Sequence, residues 1–212
     1  PRHSSSAASD VYKRQQQVLV LYYSKNGSIK EMAKIIARGV NSVDGVEAKI
    51  RTVPEVSSKT EVGEKNIPDE GDMYAELSDL ENCNGLILGS PTRFGNIAAS
   101  LKYFLETASP LWLNGSLEGK PASVFTASSS SHGGNEATLL SMHLPLLHLG
   151  MIIMGIPYSL PVLSTTQSGG TPYGASHVSG ESHQNSITDD EKKICFAQGE
   201  RMAFLAKKLS DK

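Results

Sequence analysis

Two hydrophobic periods run along the chain. Residues 18–23 (VLVLYY) form an unbroken apolar run rich in β-branched and aromatic side chains, the pattern of a strand buried on both faces of a parallel sheet. Residues 24–28 interrupt it as a turn, after which Ile29, Met32, Ala33, Ile36 and Val40 recur at helical spacing. Further strands are expected at 46–53, 85–90 (GLILGS), 122–126 (ASVFT) and 151–156, and further helices at 97–107, 136–149 and 189–209. Residues 55–71 are polar and aperiodic and read as a surface insertion. Residues 160–186 are rich in Gly, Ser and Thr without a period and read as one long loop. Strands alternating with helices at this spacing predict right-handed βαβ units. The expected fold is a doubly wound, five-stranded parallel sheet of order 2-1-3-4-5 in a three-layer α/β/α sandwich.

In such a sheet the ligand sits beyond the carboxyl ends of the strands, at the switch between strands 1 and 3. That rule selects the loops 24–28, 91–96 and 126–134, all rich in Gly, Ser, Thr or Asn. The first, in YYSKNGSI, hands a strand over to a helix start, where unpaired N–H groups and the positive end of the helix dipole suit a phosphate without a lysine. Neither G-x-x-x-x-G-K-[ST] nor G-x-G-x-x-G is present, which argues against a nucleotidase P-loop and a dinucleotide fingerprint. A monophosphate remains, and FMN is the common one on this architecture. Ser28 and Glu31 also fit a capping box, which would only start the helix; Thr188 and Glu191 repeat the pattern and are read purely as a cap.

The loop GSPTRFGN offers backbone N–H groups, one cation and one aromatic ring, a set suited to a planar, electron-rich heterocycle. At this point the chain resembles the WrbA-type NAD(P)H:quinone oxidoreductases. VLVLYYS, GSPTRFGN, LW followed by GKPASVFT, SSHGGNEAT, HLGM and GGTPYGAS carry the likeness from about Val18 to Leu209. The resemblance implies a flavodoxin-like FMN protein, a homotetramer, that passes two electrons from NAD(P)H to quinones in a ping-pong cycle. It places the FMN phosphate on Ser24, Lys25, Asn26, Gly27, Ser28 and Ile29. The flavin ring falls on Thr92, Arg93, Phe94, Gly95 and Asn96, and the third cofactor loop on Ser128, Ser129, Ser130, Ser131, His132 and Gly133. His148 would face the working side of the flavin as the catalytic histidine and a further FMN contact. Trp112 would wall the nicotinamide and quinone pocket, beside Asn26. Asn26 stands where some relatives carry a tyrosine, and His148-Leu149 where relatives often carry two histidines. A serine run occupies the third loop in place of a Gly/Thr pattern.

Residue by residue, blander roles stay open. His148 at the end of an apolar helix reads equally as a satisfied structural group, and Trp112 between Leu111 and Leu113 as core or interface. Arg93 also fits a solvated charge. His143 and His148 are five apart and do not share a helical face, so a metal site is not expected.

Composition narrows the classes further. The 212 residues suffice for one domain, and the net charge of −2 with no basic block gives no footprint for nucleic acid or an anionic membrane. Residues 1–17 begin with Pro1 and are rich in Ser, Ala and Gln; they are expected to be a disordered or non-native tail outside the domain at 18–212. The remainder carries 17 basic and 21 acidic residues, net −4. Two cysteines, Cys83 and Cys195, without a C-x-x-C fit a reducing, cytoplasmic setting. No run of 18 apolar residues occurs. Two other classes compete: a flavodoxin-type one-electron carrier, and a non-catalytic FMN-dependent module that reports redox state to a partner. The modest negative charge and the extra loops argue against the carrier.

Overall fold

A computed structural model describes residues 15–56 and 70–210. β1 (Gln16–Tyr22), β2 (Val46–Thr52), β3 (Gly85–Pro91), β4 (Pro121–Ser128) and β5 (Ile152–Ile153) form a parallel sheet in the order β2-β1-β3-β4-β5. β1 buries both faces: Val18, Val20 and Tyr22 join one core cluster, Leu19 and Leu21 the other. That two-sided burial is why its sequence shows no alternation. On the first side the sheet packs against α1 (Ser28–Val40) and α7 (Asp189–Ser210); on the second against α3 (Ala99–Thr107) and α5 (Asn135–His148). The short helices α2 (Leu77–Asn82), α4 (Ser109–Leu113) and α6 (Val162–Thr165) complete the helices of the described residues. α1 and α7 approach to backbone contact. A Cβ on Gly39 would sit 2.0 Å from the Phe196 carbonyl oxygen, and one on Gly199 2.0 Å from that of Ile36.

Three sequence expectations need correction. β1 starts at Gln16, so Gln16 and Gln17 belong to the sheet, paired with Val46 and Glu47; residues 1–14 lie outside the described residues, as do 57–69 of the expected surface insertion. The fifth strand is regular over two residues rather than six. Met154 N–H still bonds to Ala122 O at 2.7 Å, but Ile156 N–H turns to Pro172 O at 2.9 Å. The loop at 160–186 is not structureless: it holds α6 and a sixth strand, β6 (Ala175–Val178), parallel to β4 over Phe125–Ser128. β5 pairs with the start of β4, at Pro121 and Ala122. β5 and β6 are therefore two pieces of one edge position, with a detour between them. β6 carried no hydrophobic signal because two of its three buried residues are polar. Ser176 Oγ accepts Gly170 N–H at 2.8 Å, and His177 Nδ1 lies 2.8 Å from Glu191 Oε2. Polar groups paired in this way can be buried at low cost, although His177 Nε2 is left without a partner.

The Thr188–Glu191 cap forms as read. Thr188 N–H donates to Glu191 Oε2 at 2.8 Å and Glu191 N–H to Thr188 Oγ1 at 3.2 Å. The Ser28–Glu31 capping box does not. Gly27 is the N-cap and Ser28 the first helical residue, so the Ser28 hydroxyl does not cap α1.

Candidate functional site

A cleft of about 310 Å³ opens at the carboxyl end of the sheet, where β1, β3 and β4 end. Ser24, Lys25, Asn26, Ser28 and Ile29 line it from the β1–α1 loop, and Pro91, Thr92, Arg93 and Phe94 from the β3–α3 loop. Ala127, Ser128, Ser129 and Gly133 line it from the end of β4 and the loop to α5; Ser179 and His183 come from the segment after β6.

Local chemistry fixes each loop. Ser24 Oγ accepts N–H groups from Gly27 at 3.2 Å and Lys30 at 3.4 Å, which folds the first loop onto the start of α1. The glycine N-cap brings no side chain, so the Ser28 and Ile29 N–H groups between those two and the positive end of the α1 dipole are left to the cleft. The Lys25 ammonium is drawn instead to Glu55 at 2.6 Å, which raises the lysine pKa and lowers that of the glutamate. An anion here would rest on backbone N–H groups and hydroxyls.

In the second loop, Arg93 and Asn96 exchange both backbone hydrogen bonds, at 2.9 and 3.0 Å, around Phe94 and Gly95. Phe94 has φ 52°, a left-handed conformation that a bulky residue rarely adopts, and its ring is fully exposed at the mouth of the cleft. Strain of this kind concentrates at ligand sites. Thr92 anchors the loop: its N–H donates to Ala127 O at 2.9 Å, and its hydroxyl accepts from Thr138 Oγ1 at 3.2 Å. The third loop is cinched by Ser128 Oγ donating to Ser130 O at 2.8 Å. A Cβ on Gly133 would meet Ser128 Cβ at 2.8 Å, so only glycine fits that bend. Next to it, at the start of α5, the buried Asn135 Oδ1 has no hydrogen-bond partner.

Of the residues singled out from the sequence, eleven line this cleft together. Gly27, Gly95 and Asn96 shape its loops without lining it. Ser130, Ser131 and His132 are exposed on the outer part of the third loop. His148 and Trp112 are not part of it. α5 begins at the cleft and runs 14 residues away, about 21 Å at 1.5 Å per residue, and His148 is its last, exposed residue. Trp112, on α4, lines a separate small cleft with Lys102, Leu105, Pro145 and Leu149 at that far end. One chain cannot bring these two side chains to its own cleft. Sequence reasoning missed Ser179 and His183, because the strand that delivers them gave no apolar pattern.

Among the described residues no group of three His, Cys, Asp or Glu is placed to hold a metal. Both cysteines are buried and free; burial pushes the Cys83 thiol up to about 11 and that of Cys195 higher. Neither is a reactive thiolate.

A three-layer sheet with this switch-point cleft defines a flavodoxin-like protein, and the family described as NADPH-dependent FMN reductase matches residues 17–161. The chain belongs to that family. It is 41% identical over 201 residues to a protein of Syntrophobacter fumaroxidans named NAD(P)H dehydrogenase (quinone), covering 92% of this chain and 98% of the relative. Among solved structures, a WrbA-like protein from Agrobacterium tumefaciens shares the fold at TM-score 0.63 and 20% identity, over 91% of this chain and 98% of that one. Oxidised flavodoxin 1 from Bacillus cereus does so at TM-score 0.57 and 16% identity, over 89% and 98%.

Proposed function

We propose that the protein is an FMN-dependent NAD(P)H dehydrogenase (quinone). The observation that carries this is the meeting of three strand-end loops around one cleft at the β1/β3 switch, in a chain that matches such a relative almost end to end. The cleft fits FMN on its own terms: a helix start with a glycine N-cap for the phosphate, a polar second wall, a glycine-tight third loop, and a volume within the usual range of ligand sites. Bound there, FMN would supply the two-electron chemistry that links a reduced nicotinamide to a quinone.

The side chains bind and orient. Ser24, Ser28 and the first-turn N–H groups of α1 hold the phosphate end. Thr92, Arg93 and Phe94 order the ring, and the Arg93 guanidinium, whose Nη1 donates to Thr92 O at 2.9 Å, favours negative charge there. Ser128, Ser129 and Gly133 close the third side. Asn26, exposed in the first loop, borders the space a nicotinamide would enter. In steady state, benzoquinone reduction by NADH or NADPH should give parallel double-reciprocal lines, as one site serves both substrates in turn. Intersecting lines would contradict that, and no turnover with any quinone would overturn the enzyme reading.

Trp112 and His148 enter this reading through other copies of the chain, in a homotetramer. Leu140, Leu144 and Leu147 form an exposed stripe along α5, with Trp112, Leu113, Tyr103 and Ile152 exposed around that side. An apolar surface of this extent marks an interface. Light scattering with FMN present should give four times the 22.7 kDa chain mass; a strict monomer would remove both residues from the site. Among the described residues no helix is long and apolar enough to cross a membrane. A cytoplasmic setting is part of the reading, supported by the two free, buried cysteines.

A further inference from the structure

We propose that His183 is a pH-dependent ligand contact in the wall of this cleft: its Nδ1 is locked by Ser179 and its Nε2 is left to donate to an oxygen of bound FMN when the ring is protonated. The inference rests on the FMN reading above and adds a residue that neither the sequence motifs nor the family likeness pointed to.

The lock follows from counting hydrogens. Ser179 is buried, and its N–H and its Oγ both bond to Ser128 O, at 2.8 and 3.1 Å. A serine hydroxyl has one hydrogen, and that carbonyl lies within its reach at 3.1 Å. With the hydrogen on the carbonyl, Ser179 Oγ accepts from His183 Nδ1 across their 3.1 Å contact, the arrangement the proposal adopts. A neutral ring so held carries its lone pair on Nε2, and a protonated ring carries an N–H there. The neutral form repels an anionic oxygen and the protonated form binds it. His183 also sits at φ 57°, a left-handed conformation in which glycine is the easier residue, in a turn closed by its N–H donating to Gly180 O at 3.1 Å.

Other charged groups surround the cleft. The β1–α1 loop contributes Lys25, paired with Glu55, and the β3–α3 loop Arg93; lysine and arginine stay protonated across the range in which imidazoles titrate. His132 lies on the loop after β4 and does not line the cleft, so it is the internal control. The segment after β6 carries Glu181, and α7 opens with Asp189 and Asp190, each paired with a lysine of its own helix. His177 is buried against Glu191 and is not a lining residue.

The test measures dissociation constants for FMN and for riboflavin by fluorescence quenching at about pH 5.5 and 8.5, on wild type, His183→Gly, His183→Gln and His132→Gln. The second ionisation of the phosphate affects every variant alike, so the comparison isolates the imidazole. Wild type should gain about tenfold more FMN affinity on acidification than either His183 variant, with His132→Gln like wild type. His183→Gly should melt no lower than wild type, which a merely structural role for the imidazole would not allow. If only FMN shows the difference, the contact is to the phosphate; if riboflavin shows it too, the contact is to the ring or ribityl chain. Identical profiles for wild type and both His183 variants would overturn the proposal while leaving the FMN site intact. Failure of wild type to bind FMN would overturn both. Histidine-selective NMR of the wild type supplies an independent readout: His183 signals should shift on adding FMN, and unmoved signals would count against the contact.

Discussion

Glu191→Ala is expected to destabilise the fold by about 3–5 kcal/mol, because it removes a buried carboxylate that accepts four hydrogen bonds and leaves their donors without a partner. Both oxygens of this fully buried carboxylate are taken. Oε1 accepts Gly169 N–H at 2.9 Å and Val178 N–H at 3.3 Å; Oε2 accepts Thr188 N–H at 2.8 Å and His177 Nδ1 at 2.8 Å. With all four neighbours acting as donors, Glu191 pins the detour after β5, the strand β6 and the start of α7 at one point. Truncation leaves four donors unpaired, and the two in buried residues, Gly169 N–H and His177 Nδ1, each cost about 1–3 kcal/mol before relaxation. Burial alone would raise the Glu191 pKa, but the hydrogen bonds from His177, Thr188 and Gly169 outweigh it and hold the group below the ordinary carboxylate range. Its folded value thus lies below its unfolded value of about 4.3. The stability it contributes is fully present above the unfolded value and is lost as pH falls through the folded one. Chemical denaturation followed by circular dichroism should show the wild-type midpoint dropping below about pH 5 more steeply than that of Glu191→Gln. Parallel acid limbs, or a loss under about 1 kcal/mol for Glu191→Ala, would show that the detour is held elsewhere.

The second large effect separates binding from folding at one residue. Ser28 opens α1 and lines the cleft. Ser28→Asp puts a carboxylate at the positive end of a helix dipole, where it stabilises the helix by a few tenths of a kcal/mol to about 1 kcal/mol. The same charge repels a phosphate in the same place. Two like unit charges about 4 Å apart at an effective dielectric near 20 repel by roughly 4 kcal/mol. FMN affinity should therefore fall at least about 100-fold while the melting temperature holds or rises, and riboflavin should lose much less. Calorimetric titration with both flavins checks this. Equal losses for FMN and riboflavin would move the phosphate away from the start of α1.

How far the sequence reveals this molecule depends on where the polar groups go. β1 and β3 are buried on both faces by apolar side chains, and α1 presents a buried stripe, so composition and period expose them directly. The first two cofactor loops are legible for the same reason: a continuous strand ends, and small residues follow. β6 is buried at three of its four residues, yet Ser176 and His177 are buried by hydrogen bonding rather than by hydrophobicity. No periodicity can show that, and with β6 went Ser179 and His183. The Ser28–Glu31 pattern failed differently. Gly27, at φ 93°, takes the N-cap and shifts Ser28 one place into the helix, a backbone choice that S-x-x-E does not encode. The likeness to WrbA-type enzymes named His148 and Trp112, but the path of α5 keeps both at the far end of the chain that carries them.

One measurement bears most directly on the flavin site. The FMN-loaded protein is titrated with NADH or NADPH without oxygen, and benzoquinone is then added while the flavin absorbance is followed. One equivalent of nicotinamide should bleach the band, and one equivalent of quinone should restore it in full. Protein that takes up no FMN, or FMN that stays oxidised under excess NADH and NADPH alike, would contradict the proposed activity.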